Sequence, residues 1–187
     1  MAQPLNGKRI LIMATNGFEQ SELEVPRDTL REAGAQITIA SQETGQIKGW
    51  DEKDWGRPVD VDALISDVSA DDFDALVLPG GQINPDLLRV DEDAMALIKA
   101  FDSASKPIAA ICHAPWLLIE AGLAKGRRMT SYKSIRTDLA NAGANVVDNA
   151  EVVTDSHFIT SRNPGDLEAF CQAIIECVGA REAVPAE

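Results

Sequence analysis

The stretch Lys106-Pro107-Ile108-Ala109-Ala110-Ile111-Cys112-His113-Ala114-Pro115-Trp116-Leu117-Leu118 decides the fold. It reads as a short buried strand running straight into a helix, with Cys112 at the junction and His113 beside it. Strand-to-helix elbows are where α/β enzymes set a nucleophile. The backbone turns tightly there, and the start of the helix supplies unpaired N–H groups and positive potential. The stretch therefore predicts an activated thiolate at Cys112, held and charged by the other elements.

Outward from the elbow, strands alternate with helices. Lys8 to Thr15 (K-R-I-L-I-M-A-T) and Asp74 to Pro79 (D-A-L-V-L-P) are continuous apolar runs, as suits parallel strands covered on both faces. After a loop at 16–20, Ser21-Glu22-Leu23-Glu24 has capping-box spacing, while Pro26 predicts either a kink or a later helix start. Both versions leave Glu22 at the beginning of the helix. Gly34 ends it, and Gln36 to Ser41 is the next strand. Residues 42–62, with four glycine or proline breaks and Trp50 and Trp55, read as a hairpin outside the main sheet. Asp91 is placed to cap a helix carrying Ala94, Met95, Ile98 and Phe101, and a further helix runs from Ile135 to Ala142. Short β runs at 151–154 and 157–160 precede a last helix, Leu167 to Val178, with Asp166 as its expected cap. The pattern predicts one domain, 1–187, with 180–187 as a tail, folded as a doubly wound α/β sandwich. Such sheets bind ligands at the carboxyl ends of their strands. The 16–22 loop, Gly80-Gly81 and Cys112 all fall at that edge.

Composition narrows the function classes. At 187 residues the chain is long enough to bury a core without disulfides or metal, and 45% hydrophobic with 25% charged residues is ordinary for a soluble globular protein. The net charge of −13 argues against nucleic acid or an anionic membrane as a direct partner. No apolar run approaches a membrane span, and Met1 to Gly7 lacks the regions of a signal peptide. Three cysteines in no metal or redox spacing suit a reducing cytoplasm, and with only His113 and His157 available no metal or cofactor is expected.

Cys171 and Cys177 lie on or beside the apolar face of the last helix and read as core packing. Cys112 differs, because its elbow position, the adjacent His113 and the Gly80-Gly81 turn converge. A free thiol with pKa ~8.5 is only about 3% thiolate at pH 7. Lowering its pKa raises that fraction but costs nucleophilicity nearly as fast. Orientation and oxyanion stabilisation must supply the rest, with the backbone N–H groups of Gly81 and His113 as candidate donors. His113 follows the nucleophile directly, so its ring either partners the thiol or diverges from it. Glu22 is either a capping carboxylate or a protonated acid that hydrogen-bonds the thiolate and shuttles protons. By spacing alone Asp86 is a turn residue, and His157, inside an apolar run, is structural or edge-exposed.

Together, Gly17-Phe18-Glu19-Gln20-Ser21-Glu22, Leu78-Pro79-Gly80-Gly81, Ala110-Ile111-Cys112-His113-Ala114-Pro115, Thr130-Ser131-Tyr132 and Thr160-Ser161-Arg162 resemble the PfpI superfamily, in order and at matching spacing over roughly residues 7 to 179. That group includes PfpI-type intracellular cysteine peptidases and the Parkinson-linked protein deglycases, and the bacterial general-stress branch is the nearest match. The resemblance implies a flavodoxin-like fold shared with class I glutamine amidotransferases, and a homodimer or a higher assembly such as a hexamer. It makes Cys112 the nucleophile and Glu22 its hydrogen-bonding glutamate. It makes His113 a residue that works with an acid from a neighbouring subunit, where Asp86 stands in place of the peptidase's Glu. The family's Cys-His-Gly-Pro is Cys-His-Ala-Pro here, so the Ala114 methyl is expected to crowd the start of the helix. The implied activities are deglycation, glyoxalase-type hydration of small reactive carbonyls, and proteolysis. The competing reading is an oxidative-stress sensor or holdase in which Cys112 becomes a sulfinate. An amidotransferase is set aside, because Cys112 is flanked by Ala110 and Ala114 where that family has glycines and no acidic partner follows His157; a nucleotide-binding flavodoxin-like protein is poorly supported, because no phosphate-binding glycine loop follows the first strand.

Overall fold

The computed structural model describes residues 3–181; residues 182–187, part of the expected tail, lie outside it. In chain order the elements are β1 (Arg9–Met13), α1 (Gln20–Glu32), β2 (Gln36–Ser41), β3 (Gln46–Asp51), β4 (Asp54–Asp60), β5 (Ala63–Leu64), β6 (Ala75–Leu78), α2 (Ile83–Leu88), α3 (Glu92–Ser103), β7 (Ile108–Ile111), α4 (Pro115–Glu120), β8 (Arg128–Met129), α5 (Arg136–Asn141), β9 (Asn145–Val146), β10 (Val152–Asp155), β11 (Phe158–Ser161) and α6 (Leu167–Gly179). The main sheet has the order β10-β11-β7-β6-β1-β2-β5. Every neighbouring pair in it is parallel except β10–β11. The fold is α/β and flavodoxin-like.

Strand periodicity divides the core into two layers. Leu11, Met13, Leu76, Leu78, Ile108 and Ala110 face α3, α4 and α5, where Ile98, Phe101, Leu117 and Leu139 meet them. The alternate residues Ile10, Ile12, Ala75, Val77, Ala109 and Ile111 face α1 and α6, against Leu23, Leu30, Phe170 and Ile174. Helices on both faces explain why these strands read as unbroken apolar runs. As expected, residues 46–60 form a hairpin outside the sheet, with Trp50 opposite Trp55.

Several local expectations are corrected. The first helix neither starts late nor begins at Ser21. It starts at Gln20 and carries Pro26 within it, because Glu19 caps it by accepting from the Glu22 N–H at 2.8 Å. Asp86 is not in a turn but on the exposed side of α2. Asp166 does precede α6, yet its carboxylate does not cap it; the Arg162 guanidinium claims both oxygens at 2.8 Å. Asp91 caps α3 as predicted, accepting from Ala94 N–H at 2.8 Å. Ala114 has ordinary right-handed backbone, φ −59°, and is buried in the core.

Candidate active site

The site forms where β1, β6 and β7 end. Cys112 leaves β7 with φ +65°, a left-handed conformation that is strained for a residue with a Cβ. Three backbone bonds hold the strain: Cys112 N–H to the Ser161 carbonyl at 3.1 Å, Tyr132 N–H to the Cys112 carbonyl at 2.8 Å, and Ala114 N–H to the Ile111 carbonyl at 3.0 Å. The side chain projects toward the end of β6 and is only 5% exposed.

Glu22 reaches the sulfur from the first turn of α1. Its position is secured from the hairpin side, where Phe18 O accepts from Trp50 N–H at 2.7 Å and Gln20 Oε1 accepts from Arg57 N–H at 2.6 Å. Gly80 N–H donates to Glu22 Oε2 at 2.9 Å. Gly80 admits no side chain: a Cβ there would lie 2.5 Å from Glu22 Oε2 and 2.7 Å from Cys112 Cβ. Gly81 has φ +79°, and its Cβ would strike the Gly17 carbonyl at 2.5 Å. Asn84, fully buried, welds this corner together. It donates to the Pro79 and Gly80 carbonyls at 2.9 and 3.1 Å and accepts from Thr15 N–H at 2.8 Å.

Electrostatics assigns the protons. Complete burial, reinforced by the charge of Glu19, pushes the Glu22 carboxyl up to about 8, against the lowering effect of hydrogen bonding with Cys112, Gly80 and Gly81. Glu22 is therefore mainly protonated at neutral pH, and its Oε1 has no hydrogen-bond partner of full geometry. Burial also pushes the Cys112 thiol up, and a charged Glu22 would push it further, while the N–H groups of Gly81 and His113 pull it down. The depressed thiol pKa expected from the elbow is thus not present in the isolated chain. Protonation of Glu22 removes the carboxylate's repulsion and leaves burial opposed by two converging backbone donors.

His113 does turn toward the thiol, with Nδ1 at 3.2 Å from Sγ. Its Nε2 lies 3.2 Å from Ser134 Oγ. The ring stacks on Tyr132 at 4.7 Å and meets the edge of Trp116 at 5.2 Å. Burial lowers its pKa, so the imidazole is neutral near pH 7 and able to accept the thiol proton. A serine hydroxyl donates or accepts, so Ser134 satisfies either tautomer. Asp86 forms no contact with this ring among the described residues. Sequence patterns alone do not single out Ser134 or Asn84, nor the contacts that Tyr132 and Trp116 make with the His113 ring. The hydrogen-bonding pair Trp116 Nε1–Asp138 (2.9 Å) and the Arg89 guanidinium, 5.4 Å above the Trp116 ring, complete the surround. Among the described residues no group of three or more His, Cys, Asp or Glu side chains is arranged to hold a metal ion, and no helix is long and apolar enough to cross a membrane.

Comparison with known proteins shows similarity over nearly the whole chain. General stress protein 18 of Bacillus subtilis is 46% identical over 165 residues, spanning 88% of this chain and 94% of that protein. The deglycase PfpI of Pyrococcus furiosus is 43% identical over 168 residues, covering 90% of this chain and 98% of that one. The crystal structure of Drosophila melanogaster DJ-1beta superposes with a TM-score of 0.85 at 33% identity, over 95% of this chain and 94% of that chain. The DJ-1/PfpI family model matches residues 8–177. The family model's span and the near end-to-end similarity to these proteins have one explanation: the chain belongs to the DJ-1/PfpI family.

Proposed function

We propose that this protein is a cysteine-dependent hydrolase or hydratase that acts on small reactive carbonyls or their adducts on protein, as a deglycase or glyoxalase-type enzyme of the stress response. The observation that carries this reading is a fully buried Glu22 carboxyl beside Cys112, bonded by the Gly80 N–H at 2.9 Å, with His113 Nδ1 3.2 Å from the sulfur. Similarity to proteins named as deglycases and as a general stress protein supports it. Cytoplasmic location, a homodimer or higher assembly, and an acid supplied by a neighbour's Asp86 belong to the same proposal. The exposed position of Asp86 on α2 is compatible with that last role.

With methylglyoxal the chemistry balances within the site. His113 Nδ1 takes the thiol proton, Sγ bonds to the aldehyde carbon, and the new oxyanion is stabilised by backbone N–H donors and then protonated. Transfer of the proton from that carbon to the neighbouring one through an enediol, with Glu22 or His113 as carrier, yields a lactoyl thioester. Water hydrolyses it to lactate and returns the thiol. No external oxidant or reductant is needed. Peptide cleavage asks more, because an amine leaving group needs a placed acid, which here depends on His113 working with an Asp86 from a neighbouring subunit.

The test is consumption of methylglyoxal and release of lactate, together with repair of methylglyoxal-treated peptide, by wild type and Cys112→Ser. Loss of all three in the variant is expected; unchanged turnover overturns the reading. The unpartnered Glu22 Oε1 favours one alternative, a sulfinate at Cys112 that accepts a hydrogen bond from the protonated carboxyl. Peroxide titration with intact mass distinguishes it. A gain of about 32 Da on Cys112, with negligible turnover before oxidation, would make the protein a sensor.

A further inference from the structure

The wall of the site on the His113 side is basic, in a chain of net charge −13. A cleft of about 400 Å³ opens there, lined by Tyr132, Lys133, Arg136, Arg162 and Asn163. Its volume is that of a small-molecule pocket. The cleft shares its wall with the reacting residues. Tyr132 stacks on the His113 ring at 4.7 Å and holds the Cys112 carbonyl through its own N–H. Arg162 directly follows Ser161, whose carbonyl accepts from the Cys112 N–H, and Ser134, between Lys133 and Arg136, touches His113 Nε2.

The three cations are not equally committed. Arg162 is held by both oxygens of Asp166 and also feels Glu151. Arg136 donates one N–H to the Asp148 carbonyl at 3.3 Å and forms no ion pair among the described residues. Lys133 is exposed and forms no ion pair among the described residues. Two charges without ion-pair partners among the described residues therefore flank Tyr132, whose ring stacks on His113 beside the thiol.

We propose that this cleft is an anion subsite of the Cys112 site, in which Arg136 and Lys133 hold the carboxylate or phosphate of a carbonyl compound whose reactive carbon is presented to Cys112. The preferred substrates are then anionic carbonyls and anionic hemithioacetals rather than neutral ones. This specificity rests on the function proposed above, but the subsite itself can be tested without turnover.

Iodoacetate and iodoacetamide alkylate the same thiol and differ in one negative charge, so the ratio of their rates at Cys112, followed by peptide mass, reports the local anion preference. In Lys133→Gln/Arg136→Gln the iodoacetate-to-iodoacetamide ratio is expected to fall on the order of tenfold. Added sodium chloride should shrink the ratio in wild type. Arg136→Lys, which keeps the charge, should retain most of it. A ratio that is the same in wild type and the double variant overturns the subsite. If the double variant does not fold, Lys133→Gln alone, a surface change, should lower the ratio about threefold, and no change there is equally decisive. Inorganic phosphate and acetate, compared at equal ionic strength, distinguish the two anions. Stronger protection against iodoacetate by phosphate assigns the subsite to phosphates, stronger protection by acetate assigns it to carboxylates, and protection by neither overturns it. A lowered ratio in the variants together with no methylglyoxal turnover in wild type would uphold the subsite and remove the enzyme reading alone.

Discussion

The chain carries two buried histidine clusters at opposite edges of one sheet. At the carboxyl edge, Cys112, His113 and Ser134 form a hydrogen-bonded line beside Glu22. At the amino edge, Ser156, His157 and Asp102 form another: Ser156 Oγ lies 3.2 Å from His157 Nδ1, and His157 Nε2 lies 2.8 Å from Asp102 Oδ1. By residue type the amino-edge cluster is nearer to a hydrolytic triad, yet Ser156 and His157 stand just before β11 begins and not at a strand's carboxyl end. Its His157 carbonyl accepts from Ile108 N–H as the sheet begins. There it clips the β10–β11 turn to the end of α3. Residue types alone do not make a reactive site. What distinguishes the carboxyl-edge cluster is the strand-end geometry, where helix starts and glycine turns aim donors at one atom.

The largest expected effect separates the two nucleophile positions. Cys112→Ser should reduce carbonyl turnover on the order of 10⁴-fold or more, whereas Ser156→Ala should leave kcat/KM unchanged. Steady-state kinetics on methylglyoxal checks both, and a loss in Ser156→Ala would move the chemistry to the amino edge.

The next effect comes from the two acids. Glu22→Gln keeps the shape but cannot carry a proton to substrate, so turnover should drop about 10²- to 10⁴-fold. It should also change the pH dependence of stability. Glu22 is raised from 4.5 to about 8, so between those values the native state holds a proton that the unfolded chain has released. Native protein then binds more protons, and stability falls as pH rises through that window. Denaturant melts at pH 5 and pH 8 should show this slope in wild type and a flatter one in Glu22→Gln. Equal slopes would mean that Glu22 ionises as in the unfolded chain.

Asp102→Asn gives the opposite result: a structural loss without a catalytic one. The pair is mostly buried, with side-chain exposures of 8% for His157 and 25% for Asp102, so its removal should cost about 1–3 kcal/mol. A chain of this size converts each kcal/mol into about 2–4 °C of Tm. Calorimetry measures the drop, while kcat should stay within about twofold.

The contrast also explains what is legible in the sequence. Cys112, Glu22 and Gly81 are legible because each sits where a local pattern changes: the end of an apolar run, the start of a helix, a glycine pair. The sheet is legible for the same reason. Helix α2 is not, since it is six residues long, contains Pro85, and is tied through Asn84 to the distant Thr15 N–H as well as to the nearby Pro79 carbonyl. The two-residue strands β5, β8 and β9 are too short to show a period. Asp166 follows the capping rule in position but not in partner, because a guanidinium four residues earlier outcompetes neutral N–H groups. Likewise Ser134 and Tyr132 reach His113 from about twenty residues downstream, a proximity that only the folded chain creates.

The smallest effect tests why His113 has a serine where His157 has a carboxylate. The ring is already held by Tyr132 and Trp116, so Ser134→Ala should lower kcat only a few-fold. Ser134→Asp is more telling. A carboxylate at Nε2 favours the imidazolium and should raise the His113 pKa by about one unit or more, making the cluster resemble the one at the amino edge. Protonated His113 cannot accept the thiol proton, so the acid limb of the kcat/KM profile should move to higher pH by the same amount. An unmoved limb in a folded Ser134→Asp would remove His113 as the proton acceptor and leave Glu22 as the sole proton carrier. A moved limb would show that the neutral serine keeps this histidine free to work near neutral pH.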